Sequence, residues 1–282
     1  MDREIIEFIE FSRLIGKSLY HVQGGGGNCS LKLGDKMYVK ASGTLLKDIH
    51  SLDQLCCIDF NKVNILLEKF NNNNNEFDNR IKEMSENGLK PSIETGFHSI
   101  LGKFVLHTHS VYANTLNCSS QGKQMISKIF PQAILVDYAL PGLEVSQKIL
   151  QMVKELKFPN SGIIFLENHG LICWSEKVND LINLYNNVHD EIKKNLNFFK
   201  EINIKNETQL PNPTIKECLF PDQVVFADHE LNSRSKVENI FAYNEIIKNI
   251  NLNNYDPKFL SLFDCNQILN LDSEKFRQKL SK

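Results

Sequence analysis

FVLHTH, Phe104 to His109, is the stretch on which the reading of this chain turns. Its bulky apolar start suits a strand buried in a sheet. Side chains two apart on a strand share a face, so His107 and His109 point one way and Thr108 the other. They sit at the C-terminal end of that strand, where α/β sheets tend to carry ligands. Two imidazoles side by side can share one metal ion. A second apolar run, GIIFLENHG (162–170), ends in His169 beside Gly170, and LICWS (171–175) follows as its partner strand. Three histidines so placed form an open, catalytic type of metal site with room for a substrate. An HxH pair alone has a blander reading, as two hydrogen-bonded structural residues.

Just upstream, PSIET (91–95) opens a helix whose apolar face is Ile93, Phe97, Ile100 and Leu101. Ser92 is a candidate cap. Glu94 has two readings: an acid that complements the helix dipole, or a carboxylate held near the metal as general acid or base. His98, one turn on, reads as a space-filling side chain. Further upstream, His21-Val-Gln leads into Gly24 to Gly27 and Asn28. Four consecutive glycines are a loop, because neither helix nor strand holds them comfortably. Their N–H groups can surround an anion, yet neither the lysine of a phosphate-binding P-loop nor the dinucleotide glycine spacing follows.

Outward from there, Ser30 to Lys32 and Lys36 to Ser42 read as strands turning at Gly34-Asp35. CCIDF and VNILLEKF read as another strand pair turning at Asn61-Lys62. The asparagine run 71–75 reads as a flexible surface loop. AILVDY (133–138) is a strand, and helices are expected from Leu143 to Leu156 and from Lys177 to Phe199. From about Asn206 the character changes. Pro211, Pro213 and Pro221 punctuate a linker-like stretch, QVVFAD reads as one strand, and polar helix follows. The expected division is a core domain over 1–205 and an appended C-terminal extension over 206–282.

The 282 residues carry 41% hydrophobic and 23% charged side chains and a net charge of -2, an ordinary globular balance. No basic excess points to nucleic acid. Seven cysteines, an odd number without CxxC spacing, read as small buried hydrophobes in a reducing cytoplasm. The acidic N-terminus is not a signal peptide, and no run approaches a membrane span. The expectation is a soluble cytoplasmic protein without membrane or nucleic-acid partners.

GGGGNCSLK, VKASGT, PSIET, HTH and ENHG, in this order, resemble the class II aldolase/adducin family over roughly residues 5–200. GGGGN, VKASGT and DYALPG look most like the aldolase domain of rhamnulose-phosphate aldolase fusion proteins. The resemblance implies a three-layer α/β/α fold with a largely antiparallel central sheet. It implies that His107, His109 and His169 hold Zn2+ or another divalent transition metal, and that Glu94 is the catalytic acid/base. Asn28, Ser42, Gly43 and Ser92 fall on positions that line a substrate phosphate pocket. The implied activity is a lyase, cleaving or forming a C–C bond in a keto-sugar or its phosphate through a metal-stabilised enediolate. Related members are epimerases, dehydratases or adducin-like binding modules, and the implied assembly is a homotetramer. Two positions depart from the pattern. Ile93 stands where aldolases of the family often carry a second serine, which removes a hydroxyl from the phosphate pocket and weakens the implication of a phosphorylated substrate; Lys40 is a cation nearby in sequence. Neither Tyr112 nor Tyr138 matches the tyrosine that protonates the aldehyde.

Overall fold

The computed structural model describes residues 3–71, 73–202, 210–227 and 233–280. Its centre is a seven-stranded sheet in the order β3-β2-β1-β4-β7-β6-β5. The strands are β1 (Asn28–Leu33), β2 (Lys36–Lys40), β3 (Leu55–Asp59), β4 (Phe104–Thr108), β5 (Ile134–Val136), β6 (Ser161–Leu166) and β7 (Gly170–Ser175). All neighbours are antiparallel except β5 and β6. FVLHT is the middle strand, flanked by β1 and β7, a place that suits its apolar run.

Alternation along β4 sorts its side chains between two helical layers. Phe104 and Leu106 enter one core, against α1 (Arg3–Lys17), α5 (Val111–Asn117), α8 (Val178–Asn195) and α10 (Arg234–Leu252). Val105 enters the other, against α4 (Thr95–Ile100) and α7 (Leu143–Glu155). Each fully buried apolar side chain here contributes about 1.5–3 kcal/mol. The result is a three-layer α/β/α arrangement. A further layer of contacts, α2 (Phe60–Lys69) and α3 (Asn74–Glu83), closes the β2–β3 side. Beyond the sheet, α6 (Gly122–Ile129) precedes β5, and α9 (Pro221–Phe226), α11 (Leu262–Leu269) and α12 (Asp272–Leu280) make the C-terminal part mostly helical.

Three local expectations are corrected. VNILLEKF is helix α2, not a strand, because Asp59 caps it by accepting from the backbone N–H groups of Asn61 and Lys62. QVVFAD is not a strand: its first four residues belong to α9, which Pro221 opens at N1 and whose valines are buried. Proline there has the φ a helix needs, and a short apolar run does not by itself separate strand from buried helix. The asparagine run is ordered from Asn73, which caps α3 by accepting from the Glu76 N–H at 3.0 Å. Asn72 and the last residue of QVVFAD lie outside the described residues.

The segment from Leu210 onward shares the core. Leu219, Phe220, Phe241, Ala242, Ile246 and Ile250 join the α1/α8 layer. Val224, Val225, Ile268 and Leu271 form a separate cluster with Ile93 and Leu140. All seven cysteines are free, and six are buried. Among the described residues no helix is long and apolar enough to cross a membrane.

Candidate metal centre

The β1–β4 register pairs Asn28 with His107, and the β4–β7 register pairs Thr108 with Leu171. His109 follows directly on the end of β4. The Glu167-Asn168-His169 turn brings the third histidine back beside this strand end. Asn168 takes a left-handed conformation (φ 50°), and its amide donates to the carbonyls of Leu219 and Lys258. Asn114 and Asn117 donate to the carbonyls of His169 and Gly170 at 3.1 and 2.9 Å. Gly170 is required by space: a Cβ would stand 2.5 Å from the Thr108 carbonyl oxygen and 2.9 Å from the His107 ring.

The three rings meet with centroids 4.9, 5.0 and 5.3 Å apart. His107 Nε2 lies 3.1 Å from His109 Nε2 and 3.1 Å from Glu94 Oε1. His169 Nε2 lies 3.2 Å from the same Glu94 oxygen. One ligand atom from each of these four buried residues falls within 4.8 Å of every other.

The hydrogen bonds around the rings say what this cluster is suited to. His107 Nδ1 donates to the Leu171 carbonyl at 3.1 Å, so its Nε2 presents a lone pair. That lone pair faces the Nε2 of His109 and a carboxylate oxygen. Acceptors this close in a dry site repel unless a cation or a proton lies among them. Nitrogen ligands at 2.0–2.1 Å from a tetrahedral zinc stand roughly 3.3–3.4 Å from one another. The donor set and its spacing therefore fit a divalent metal.

Glu94 occupies the N-cap position of α4, but its side chain makes no cap bond. Ser92 Oγ accepts from the Glu94 N–H at 3.2 Å, freeing the carboxylate to turn inward. Its second oxygen accepts from the Asn28 amide at 3.3 Å. Burial alone would push the Glu94 carboxyl up; His107 and His169 outweigh it and hold it well below the usual carboxylate range. Burial pushes His169 down to about 4 against the pull of Glu94. His98 lies beneath, 2.8 Å from Ser30 Oγ and stacked on Phe97, and fills space.

Above Glu94, His109 and His169 is a cavity of about 30 Å³, room for a water or two. Ser42, Gly43 and Ser92 line it, with Lys40, Ile93 and the Gly25–Gly27 loop. Asn28 lies under Glu94 rather than on the wall. Lys40 is buried, donating to the carbonyls of Gly25 and Thr44, and burial with the Arg277 charge lowers it to about 8. Neither Tyr112 nor Tyr138 is part of the lining. Tyr112 bonds Glu201 in the opposite layer, and Tyr138 packs beside the Ile93 cluster.

Beside Pro141 and Pro221, the rest of the wall comes from four residues that local patterns did not single out: Asp222, Ser273, Glu274 and Arg277. Arg277 Nη1 donates to Asp222 at 2.8 Å and to Glu274 at 2.9 Å. Burial raises Glu274 to about 7, with Arg277 opposing. The only sequence signal was the Pro221-Asp222 pair, proline then acid, which marks a helix start. Nothing in it points to a histidine more than a hundred residues earlier.

Comparison with known proteins agrees with this architecture. The sequence profile described as Class II Aldolase and Adducin N-terminal domain matches residues 6–192. Over 191 residues the chain is 28% identical to the uncharacterized oxidoreductase YuxG of Bacillus subtilis, a match covering 62% of this chain and 27% of that protein. The chain thus spans about a quarter of the length of that relative. It is 27% identical over 199 residues to the L-fuculose phosphate aldolase of Methanocaldococcus jannaschii, covering 66% of this chain and 88% of that one. Among solved structures, the N-terminal class II aldolase domain of a conserved protein from Thermoplasma acidophilum superposes with a TM-score of 0.61 at 23% identity. That match covers 69% of this chain and 94% of the Thermoplasma chain, and it shows a shared fold. With the profile spanning most of its length, the chain belongs to the class II aldolase and adducin N-terminal domain family.

Proposed function

We propose that this protein is a zinc-dependent aldehyde-lyase that cleaves or forms a C–C bond in a keto-sugar or its phosphate. The gathering of one ligand atom each from His107, His109, His169 and Glu94 within 4.8 Å, at the floor of a cavity, carries the reading. His107, His109 and His169 would hold the metal. When bound, it supplies Lewis-acid polarisation of a substrate carbonyl and the neighbouring hydroxyl.

The protein's own part is proton transfer and orientation. In the cleavage direction the hydroxyl of the departing fragment passes its proton to the Glu94 carboxylate, the C–C bond breaks as that oxygen becomes an aldehyde, and the electron pair stays on the carbon next to the carbonyl. Glu94 gives that carbon its proton, and takes it away in synthesis. Asn28 fixes the carboxylate by holding its other oxygen. Ser42, Gly43 and Ser92 would bind the substrate phosphate. Ile93 lacks the hydroxyl of a second serine, and Lys40 with Arg277 supplies positive charge on the same wall. The cavity as it stands holds a water or two, less than a sugar phosphate needs. The expected assembly is a homotetramer.

The test is incubation of the zinc-loaded protein with ketose 1-phosphates, followed by mass spectrometry. A short aldehyde plus a three-carbon keto-phosphate supports the lyase. An isomer of unchanged mass makes it an epimerase, and loss of one water a dehydratase. No turnover together with no stoichiometric metal makes it an adducin-like binding module.

A further inference from the structure

We propose that Asp222, carried by the C-terminal segment, is a positioning residue for His109, so that the metal centre is completed only when that segment is docked. The inference rests on the reading that the three histidines hold a metal.

Asp222 is 2% exposed, and its Oδ2 lies 3.3 Å from His109 Nδ1. Neither atom makes a hydrogen bond among the described residues, so the 3.3 Å contact is an ion-pair approach between two buried polar atoms that are otherwise unsatisfied. The nitrogen in question faces away from the cluster; Nε2 is the one that meets His107. A ligating histidine almost always donates its second ring N–H to a carboxylate or carbonyl, which fixes its tautomer and ring angle. His107 has such a partner in the Leu171 carbonyl. Asp222 stands where a carboxylate can give His109 the equivalent, a charge-assisted bond once the N–H is aligned on its oxygen.

Two further observations show that this contact is built. Asp222 Oδ1 is held by Arg277 at 2.8 Å, so the carboxylate is buried with a countercharge and its second oxygen is aimed. Gly26 lies against the contact: a Cβ there would stand 2.3 Å from Asp222 Oδ2 and 2.8 Å from His109 Nδ1. A glycine whose φ is not left-handed is needed here for space alone, which assigns a role to the third residue of the GGGG run. The arrangement joins a loop before β1, the end of β4, α9 and α12 around one imidazole.

The experiment measures zinc affinity of the full chain by competition with a chelating indicator, for wild type, Asp222→Ala, Asp222→Asn and Gly26→Ala. Circular dichroism and Tm monitor folding. Asp222→Ala is expected to weaken zinc binding about 10–100-fold. Asp222→Asn should lose less, because its amide oxygen still accepts the Nδ1–H. Gly26→Ala should weaken binding with Asp222 intact. The visible spectrum of the cobalt(II)-substituted protein should shift in Asp222→Asn, a signature that a role confined to folding would not produce. Wild-type affinity, within about twofold, in a folded Asp222→Ala overturns the inference and leaves the metal reading standing. If Asp222→Ala does not fold, wild-type affinity in both Asp222→Asn and Gly26→Ala overturns it. A wild-type protein that binds no zinc overturns the metal reading itself, and this inference with it.

Discussion

Glu94 Oε1 lies 3.2 Å from His169 Nε2, while Glu94 Oε2 accepts from the Asn28 amide 3.3 Å away. One carboxylate thus has an oxygen in the histidine cluster and an oxygen tethered to β1. Glu94→Gln keeps the shape and the neighbours but removes the transferable proton. We expect turnover to fall by about 10²–10⁴-fold, with metal content unchanged by elemental analysis. Normal turnover in this variant would sink the acid/base role.

Each histidine is expected to matter for metal in its own right. His107→Ala and His169→Ala should each reduce bound zinc to under roughly a tenth of the wild-type content, since three protein ligands are the minimum for such a site. Elemental analysis of dialysed protein reads this directly. Full retention in either variant would show that the remaining groups suffice.

Gly170→Ala tests the packing beneath the cluster. The added Cβ would meet the Thr108 carbonyl at 2.5 Å. Overpacking of this kind costs about 1–3 kcal/mol. A lowered urea midpoint and weaker zinc retention should appear together. An unchanged midpoint would mean that the turn relaxes freely.

Acid should destabilise the metal-free protein before most carboxylates titrate. Burial, reinforced by the Lys193 charge and opposed by the hydrogen bond to the Tyr185 carbonyl, lowers His189 to about 4. Burial lowers His98 to about 3, with Glu94 opposing. Both start from 6.5 when unfolded. Below that value the unfolded chain binds protons that the folded chain refuses, so stability is lost as pH falls from about 6.5 towards 4. Urea midpoints at pH 7.5 and 4.5, with chelator present, should differ by an amount worth a few kcal/mol, on the order of one to several. Equal midpoints would contradict the burial of both rings as neutral groups.

What the sequence revealed follows from what is local. The strand period put His107 and His109 on one side, and the glycine corner placed His169 at a strand end; both are short-range properties. That FVLHTH forms a strand was legible, but its place in the middle of the sheet was not, since strand order depends on contacts between distant segments. Helix α2 was misread because VNILLEKF is apolar enough for a strand, and the cap that decides the matter is one aspartate before it. Asp222, Ser273, Glu274 and Arg277 were invisible as site residues for a different reason. Their function depends on how α9 and α12 pack over the end of β4, and no spacing along the chain encodes that meeting.

The asparagine run bears on this packing in an unexpected way. Asn74 Oδ1 accepts from the Leu143 N–H at 2.6 Å, and Asn75 Oδ1 accepts from the Asp272 N–H at 2.9 Å. Consecutive, chemically identical residues therefore hold two different helix starts, α7 and the α12 that carries Arg277. A tract of one repeated residue looks free to lengthen or shorten by slippage during replication. Here the cap and both tethers come from the last three members, so one asparagine more or fewer would still leave asparagine in all three places before Glu76, and the two helix starts would keep their partners.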